Sequence, residues 1–229
     1  LWVEGIFELY TTIIVAYFFC SLGMVSEKSA LSVIYIDIIL YLGSGIVGIG
    51  HHYYWTAQPA INMALGAMVS ALEVVPLTLL TMDAWRFIEL AKVEGSIKNF
   101  SHYWAMMFLI AVGFWNFLGA GVFGFLINTP IVSYYEHATY LTSNHGHAAM
   151  MGVYGMLSVA AVLFSTRYLM TEDAWSNRLA GLSFWGLNVG LMLMLVLNIF
   201  PAGVIQMIAS YHQGFWFARS PEFIHSQLF

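Results

Sequence analysis

Two histidine pairs and a handful of carboxylates interrupt an otherwise apolar chain. His51 and His52 close an apolar run in GIGHHYYW, and His145 and His147 stand in SNHGHAAMMG. Glu4, Glu8, Asp37 and Glu73 lie inside hydrophobic stretches. Imidazole and carboxylate are metal ligands, and an ionisable group in hydrocarbon costs at least a few kcal/mol unless something compensates it. Spacing gives the pairs different geometries. His51 and His52 are about 100° apart on a helix, so both reach one ion only near a helix end or a local distortion, which Gly48 and Gly50 make cheap. His145 and His147 are turned roughly 200° from each other and point to opposite sides. That arrangement suits two separate prosthetic groups, and Gly146 between them removes bulk where large planar groups approach. Glu4 and Glu8, four apart, share one helix face.

Each of these residues also has a plainer reading. A lone intramembrane histidine is more often hydrogen-bonded to a neighbouring helix than bound to metal, but two pairs with mid-span glutamates favour ligation. For Asp37 a buried hydrogen-bonding role is preferred to a place on a proton path. Pro76, three residues after Glu73, frees a backbone carbonyl near residue 72 and is expected to kink the helix beside that carboxylate. Met150, Met151 and the Leu/Met run at 191–196 read as packing or lipid contact. Tyr53, Tyr54 and Trp55 fit an interfacial aromatic belt.

The elements that must hold these groups are membrane helices. Of 229 residues 60% are hydrophobic and 8% charged, which excludes a soluble domain. Apolar stretches of about 20 residues recur along the chain, each long enough to cross a bilayer as a helix. The expected fold is an all-α polytopic membrane protein with six spans, at about 1–23, 31–54, 61–83, 102–127, 138–168 and 179–209, forming one membrane-embedded unit. Between spans, the 83–101 segment reads as a helix extension closed by a polar turn. The chain starts at Leu1, already inside an apolar helix, and is expected to be a fragment of a longer polytopic protein. Cys20 alone cannot build a disulfide framework, and a net charge of −5 with seven basic residues gives no nucleic-acid footprint.

Lys28, Arg86, Lys92, Lys98, Arg167 and Arg178 fall in or beside the odd-numbered loops, whereas the even loops and the tail hold only Arg219. By the positive-inside rule the odd loops are cytoplasmic. His51, His52 and the HGH run then converge on the outer half of the bilayer.

LWVEGIFELY, GIGHHYYW, ALEVVPL and SNHGHAAMMGVYGM, in this order, resemble the catalytic subunit of bacterial nitric oxide reductases, within the haem–copper oxidase superfamily. The likeness spans essentially the whole chain and implies that these six helices are part of a bundle of 12–14. It implies an enzyme of the bacterial or archaeal cytoplasmic membrane, reducing two NO to N2O and water in denitrification. It also implies two haem b groups and one non-haem iron, with calcium as an optional further ion. His51, His52 and Glu4 correspond to ligands of the non-haem iron, His145 to the axial ligand of the high-spin haem, and His147 to one axial ligand of the low-spin haem. Glu8 and Glu73 correspond to acidic residues that deliver protons or tune the iron. The family's third iron histidine would precede Leu1, and the second ligand of the low-spin haem belongs to the remaining N-terminal part of the protein. Copper-containing relatives carry a Tyr one turn after the first metal-ligating His, and that pair is absent here. Electrons are expected from quinol, on the likeness of the tail YHQGFWFARSPEF, with cytochrome c as the other donor. Two further readings remain beside this one. An NO dismutase departs from the family at the iron ligands, and a non-catalytic haem b electron-transfer protein leaves His51, His52, Glu4 and Glu73 without roles.

Overall fold

In the computed structural model the described residues are 2–53 and 56–227; the side chains of 3–5, 43–46, 98, 99 and 227 fall outside the described set. The described chain is helical throughout, without strands. A π-helical segment at Trp2–Phe7 leads into α1 (Glu8–Ser21), and α2 (Glu27–Gly48) ends in a 3-10 turn at Ile49–His52. α3 (Ala60–Leu72) and α4 (Val74–Val93) form the third run, broken only at Glu73. The fourth run is α5 (Tyr103–Trp115), a π segment at Asn116–Phe123, and α6 (Gly124–Asn128). After the short α7 (Pro130–Glu136), the fifth run joins α8 (Tyr140–Ala149) to α9 (Met156–Leu169) through a π segment at Met150–Gly155. The sixth joins α10 (Asn177–Met194) to α11 (Phe200–Gln213) through Leu195–Ile199, and α12 (Pro221–Gln227) follows.

Local chemistry sets the helix ends. The Thr139 hydroxyl accepts from the backbone N–H of Leu141 at 3.2 Å to start α8, and Ser176 accepts from Leu179 at 3.3 Å to start α10. Pro130 opens α7, where a missing N–H costs nothing. Gly95, at φ +74°, ends the extension of α4, so the 83–101 segment is the helix and polar turn expected, with the helix reaching Val93.

Four runs are long and apolar enough to cross a membrane, at 60–93, 103–128, 140–169 and 177–213; α1 is apolar but shorter. Their ends lie within a few residues of the sequence-based spans except at 83, where the helix continues to Val93 because polar residues at a helix end stay helical where water can solvate them. The fourth run is the central one. Its Ala105, Met106, Phe108, Leu109, Ala111 and Val112 are all buried, which takes in most of the helix and leaves a face at Phe114 exposed. Around it pack Phe19 of α1, Leu77, Leu80 and Ile88 of α4, and Met156 of α9. The indole N–H of Trp115 donates to Asn188 at 2.9 Å and ties the fourth run to the sixth. The outer face of α10 is the reverse case: Leu179, Leu182, Trp185 and Leu193 are exposed, an apolar surface that water would not tolerate and lipid does.

Candidate functional site

The second run ends with its last turn tightened from α to 3-10, and this is the distortion that adjacent histidines need. In consequence the rings of His51 and His52 lie with centroids 4.1 Å apart and 39° between their planes. A close approach of α3 fixes that turn. A Cβ on Gly66 would stand 2.7 Å from the His51 backbone N and 2.9 Å from the Val47 carbonyl, and one on Gly50 would stand 2.6 Å from the Asn62 carbonyl. Only glycine lets the two backbones meet here.

Glu73 sits at the break between α3 and α4 and is 3% exposed. Pro76 explains the break: it has no N–H for the Leu72 carbonyl, and the Glu73 N–H turns back to Ser70 at 3.1 Å instead. The kink expected from the sequence is therefore present. It turns Glu73 towards the second run, where a Cβ on Gly48 would lie 3.5 Å from its Oε1.

On the fifth run the two histidines part. The Nδ1 of His145 lies 2.7 Å from the Gly119 carbonyl, and the Nδ1 of His147 lies 2.8 Å from the Ser143 carbonyl. A carbonyl can only accept, so each Nδ1 carries the proton and each Nε2 is the basic nitrogen. That is the tautomer a metal-ligating imidazole requires, held by a backbone acceptor. His145 lines a cavity, whereas His147 is exposed outside it. The π segment of the fourth run brings Gly119 to α8 so closely that a Cβ there would stand 2.6 Å from that of Ala148. A Cβ on Gly146 would meet nothing within 4 Å, leaving open space between the histidines.

The cavity has a volume of about 500 Å³, within the range of cofactor sites. It gathers five of the expected site residues, Glu8, His51, His52, Glu73 and His145. The carboxylate of Glu4 lies outside the described set. Among the described residues no three His, Cys, Asp or Glu side chains converge as a metal cluster. The donors nevertheless fit the implied groups: two adjacent imidazoles and a third whose Nδ1 is already engaged line one cavity with a carboxylate in its wall.

Several residues of the site were not singled out from sequence. Tyr41 donates a short hydrogen bond to Glu8, and it lines the cavity with Thr11, Thr12 and Tyr154. Tyr41 stands four residues after Asp37, on the same helix face, and that spacing was the available signal. Asp37 itself is 0% exposed, and the Thr12 side chain of the first run is its hydrogen-bonding neighbour, so the buried polar role expected of it is found. Glu136 and His137, from the segment between the fourth and fifth runs, and Thr142, from the first turn of α8, also reach the cavity. Burial pushes Glu136 up to about 7 against the opposing Thr142 hydrogen bond and the nearby Arg219. His137 is lowered by burial and by the positive charges of Arg219 and His52.

Residues 1–228 match the family model of cytochrome c and quinol oxidase polypeptide I. The chain is 30% identical over 225 residues to a nitric oxide reductase polypeptide of Stutzerimonas stutzeri. The alignment covers 96% of this chain and 44% of that relative, so the chain spans somewhat less than half of its length.

Proposed function

The chain belongs to the cytochrome c and quinol oxidase polypeptide I family, and from that premise we propose that it is part of the catalytic core of a membrane-bound nitric oxide reductase. The reaction takes two NO, two electrons and two protons to N2O and water, at a site in the outer half of the bilayer. The observation that carries this reading is one cavity whose wall holds His51, His52, Glu73 and His145 together. His145 would hold a high-spin haem b, His147 a low-spin haem b, and His51, His52 and Glu4 a non-haem iron. When bound, these groups supply NO binding and electron transfer.

The chain's own residues do the rest. The carbonyls of Gly119 and Ser143 hold both HGH imidazoles in the ligating tautomer. Gly50 and Gly66 set the position of the His51 backbone. A carboxylate among the ligands makes a harder, more negative site than imidazoles alone, which suits iron better than copper(I). Glu73, buried and next to Gly48, holds a proton at its carboxyl and releases it into the cavity as oxygen leaves NO as water. Tyr41 fixes the orientation of Glu8 in the same wall. Quinol is the favoured electron donor, with cytochrome c the other.

A bis-histidine electron-transfer protein would need His147 but not the cavity, and an NO dismutase would not keep the His51, His52 and Glu4 set. The test is pyridine haemochrome and metal analysis of the complete protein with NO consumption measured on the same sample. The expected result is about three irons per chain, two of them in haem b, and steady NO turnover. Stoichiometric copper in place of the non-haem iron, or no NO consumption, overturns the reading.

A further inference from the structure

Glu136 is the last residue of α7, a short helix that turns Ser133 and Glu136 inward and leaves Ile131 and Tyr134 exposed. It is 2% exposed and forms part of the cavity wall. Its Oε2 accepts from the Thr142 hydroxyl at 3.0 Å, its one hydrogen bond among the described residues. Thr142 stands three residues before His145 on α8, hence on the same helix face.

The neighbouring cation does not neutralise this carboxyl by pairing with it. Arg219 has five N–H donors, and all are directed elsewhere. Nε donates to the His137 carbonyl at 3.1 Å. Nη1 donates to the Ser210 hydroxyl at 2.6 Å and the Phe215 carbonyl at 2.8 Å. Nη2 donates to the Tyr135 carbonyl at 3.1 Å and to that of His137. The guanidinium also lies 3.4 Å from the centre of the Phe215 ring. Arg219 thus clamps the backbone on both sides of Glu136 to the end of the sixth run and spends its hydrogen bonds doing so. The result is a fixed loop with a buried, unclamped carboxyl facing inward and the exposed turn at Ala138 immediately outside it. Besides Arg219, the groups that share its surroundings are His137 in the same loop, His51 and His52 from the second run, Glu73 from the third, His145 from the fifth and Glu8 from the first.

We infer that Glu136 is the proton-relay carboxyl between the outer surface and the cavity, positioned by Thr142 and by the Arg219 clamp. This rests on the nitric oxide reductase reading and on the positive-inside orientation. Each turnover consumes two protons, with two electrons from the donor. In each transfer the Glu136 O–H breaks, its proton passes to the cavity side, and the carboxylate takes a replacement from water at the Ala138 turn. No net charge accumulates on the loop. Because burial brings this carboxyl to about 7, it changes protonation near neutral pH. The protonated form is the donor, so the rate it limits falls as pH rises through that value.

The experiment uses the complete protein with wild type, Glu136→Gln and Thr142→Val compared. Haem and iron content, single-turnover proton uptake with a pH-indicator dye, and the pH profile of turnover are measured on each. Glu136→Gln should keep both haem spectra and the iron while proton uptake slows about a hundredfold. Its pH profile should lose the inflection near 7. Thr142→Val removes a hydrogen bond that favours the carboxylate, so its inflection should move to higher pH with the rate at low pH retained. Infrared difference spectra give a readout apart from activity: the carbonyl band of a protonated carboxyl should disappear with rising pH in wild type and be missing in Glu136→Gln. A Glu136→Gln enzyme with wild-type proton uptake and pH profile overturns the inference, as does an inflection unmoved in Thr142→Val. Failure of the underlying reading looks different, because wild type itself would then not consume NO.

Discussion

Gly66→Ala is a one-methyl change with a calculable effect on the metal ligands. The new Cβ would stand 2.7 Å from the His51 backbone N, 2.9 Å from the Val47 carbonyl oxygen and 3.0 Å from the Gly50 Cα, where ordinary contact begins at 3.4 Å. All three neighbours are backbone, so no side-chain rotation relieves the clash. The third run must move away from the second by about 0.7 Å, at an overpacking cost of about 1–3 kcal/mol. Metal–ligand distances hold within about 0.2 Å, and a displacement near 1 Å in an active site can cost on the order of a hundredfold in rate. We therefore expect loss of most non-haem iron and a tens-fold fall in NO consumption, with both haems retained because the HGH helix lies elsewhere. The assay is total iron against haem iron, with NO consumption, on the complete protein. Gly190→Ala is the control, since its Cβ would meet nothing within 4 Å. Full iron occupancy and normal turnover in Gly66→Ala would refute the idea that backbone contact at Gly66 sets the His51 position.

The other expectations concern single side chains of the same cavity. Glu73→Gln keeps shape and hydrogen-bonding capacity but not the acid, so it should retain both haems and lose most NO reduction; near-normal turnover removes Glu73 from the proton-handling residues. His147→Ala should abolish the low-spin haem signal and spare the high-spin one, while His145→Ala does the opposite; loss of the same haem in both variants would show that the two imidazoles do not serve separate groups.

Much of this architecture was legible because membrane helices are written in long apolar runs, and an ionisable residue inside one is conspicuous. The HGH divergence followed from helical geometry alone, and so did the need for a distorted turn at His51. Pro76 announced the break at Glu73. The polar residues that complete the cavity were harder to find. Tyr41, Thr11 and Thr12 are compatible with any membrane helix, and only the packing of the first run on the second makes them neighbours of Glu8. Glu136 lies in a short connection where a carboxylate is expected to be solvated. Its burial depends on Arg219, more than eighty residues away, anchoring the loop through the Tyr135 and His137 carbonyls, a long-range contact that no local pattern encodes.

The π segments at Asn116–Phe123, Met150–Gly155 and Leu195–Ile199 each hold more residues per turn than the α-helix around them. Chain length within these segments is therefore information of its own, separate from residue identity. Deleting one residue from 116–123 lets the segment relax to α-helix while remaining continuous, hydrogen-bonded and apolar. Everything on one side of the cut then turns by about 100° relative to the other. Gly124 and Asn128 would swing off the cavity wall, or Asn116 would, although no side chain in the wall had been replaced. In this fold a miscount is more damaging than a misspelling.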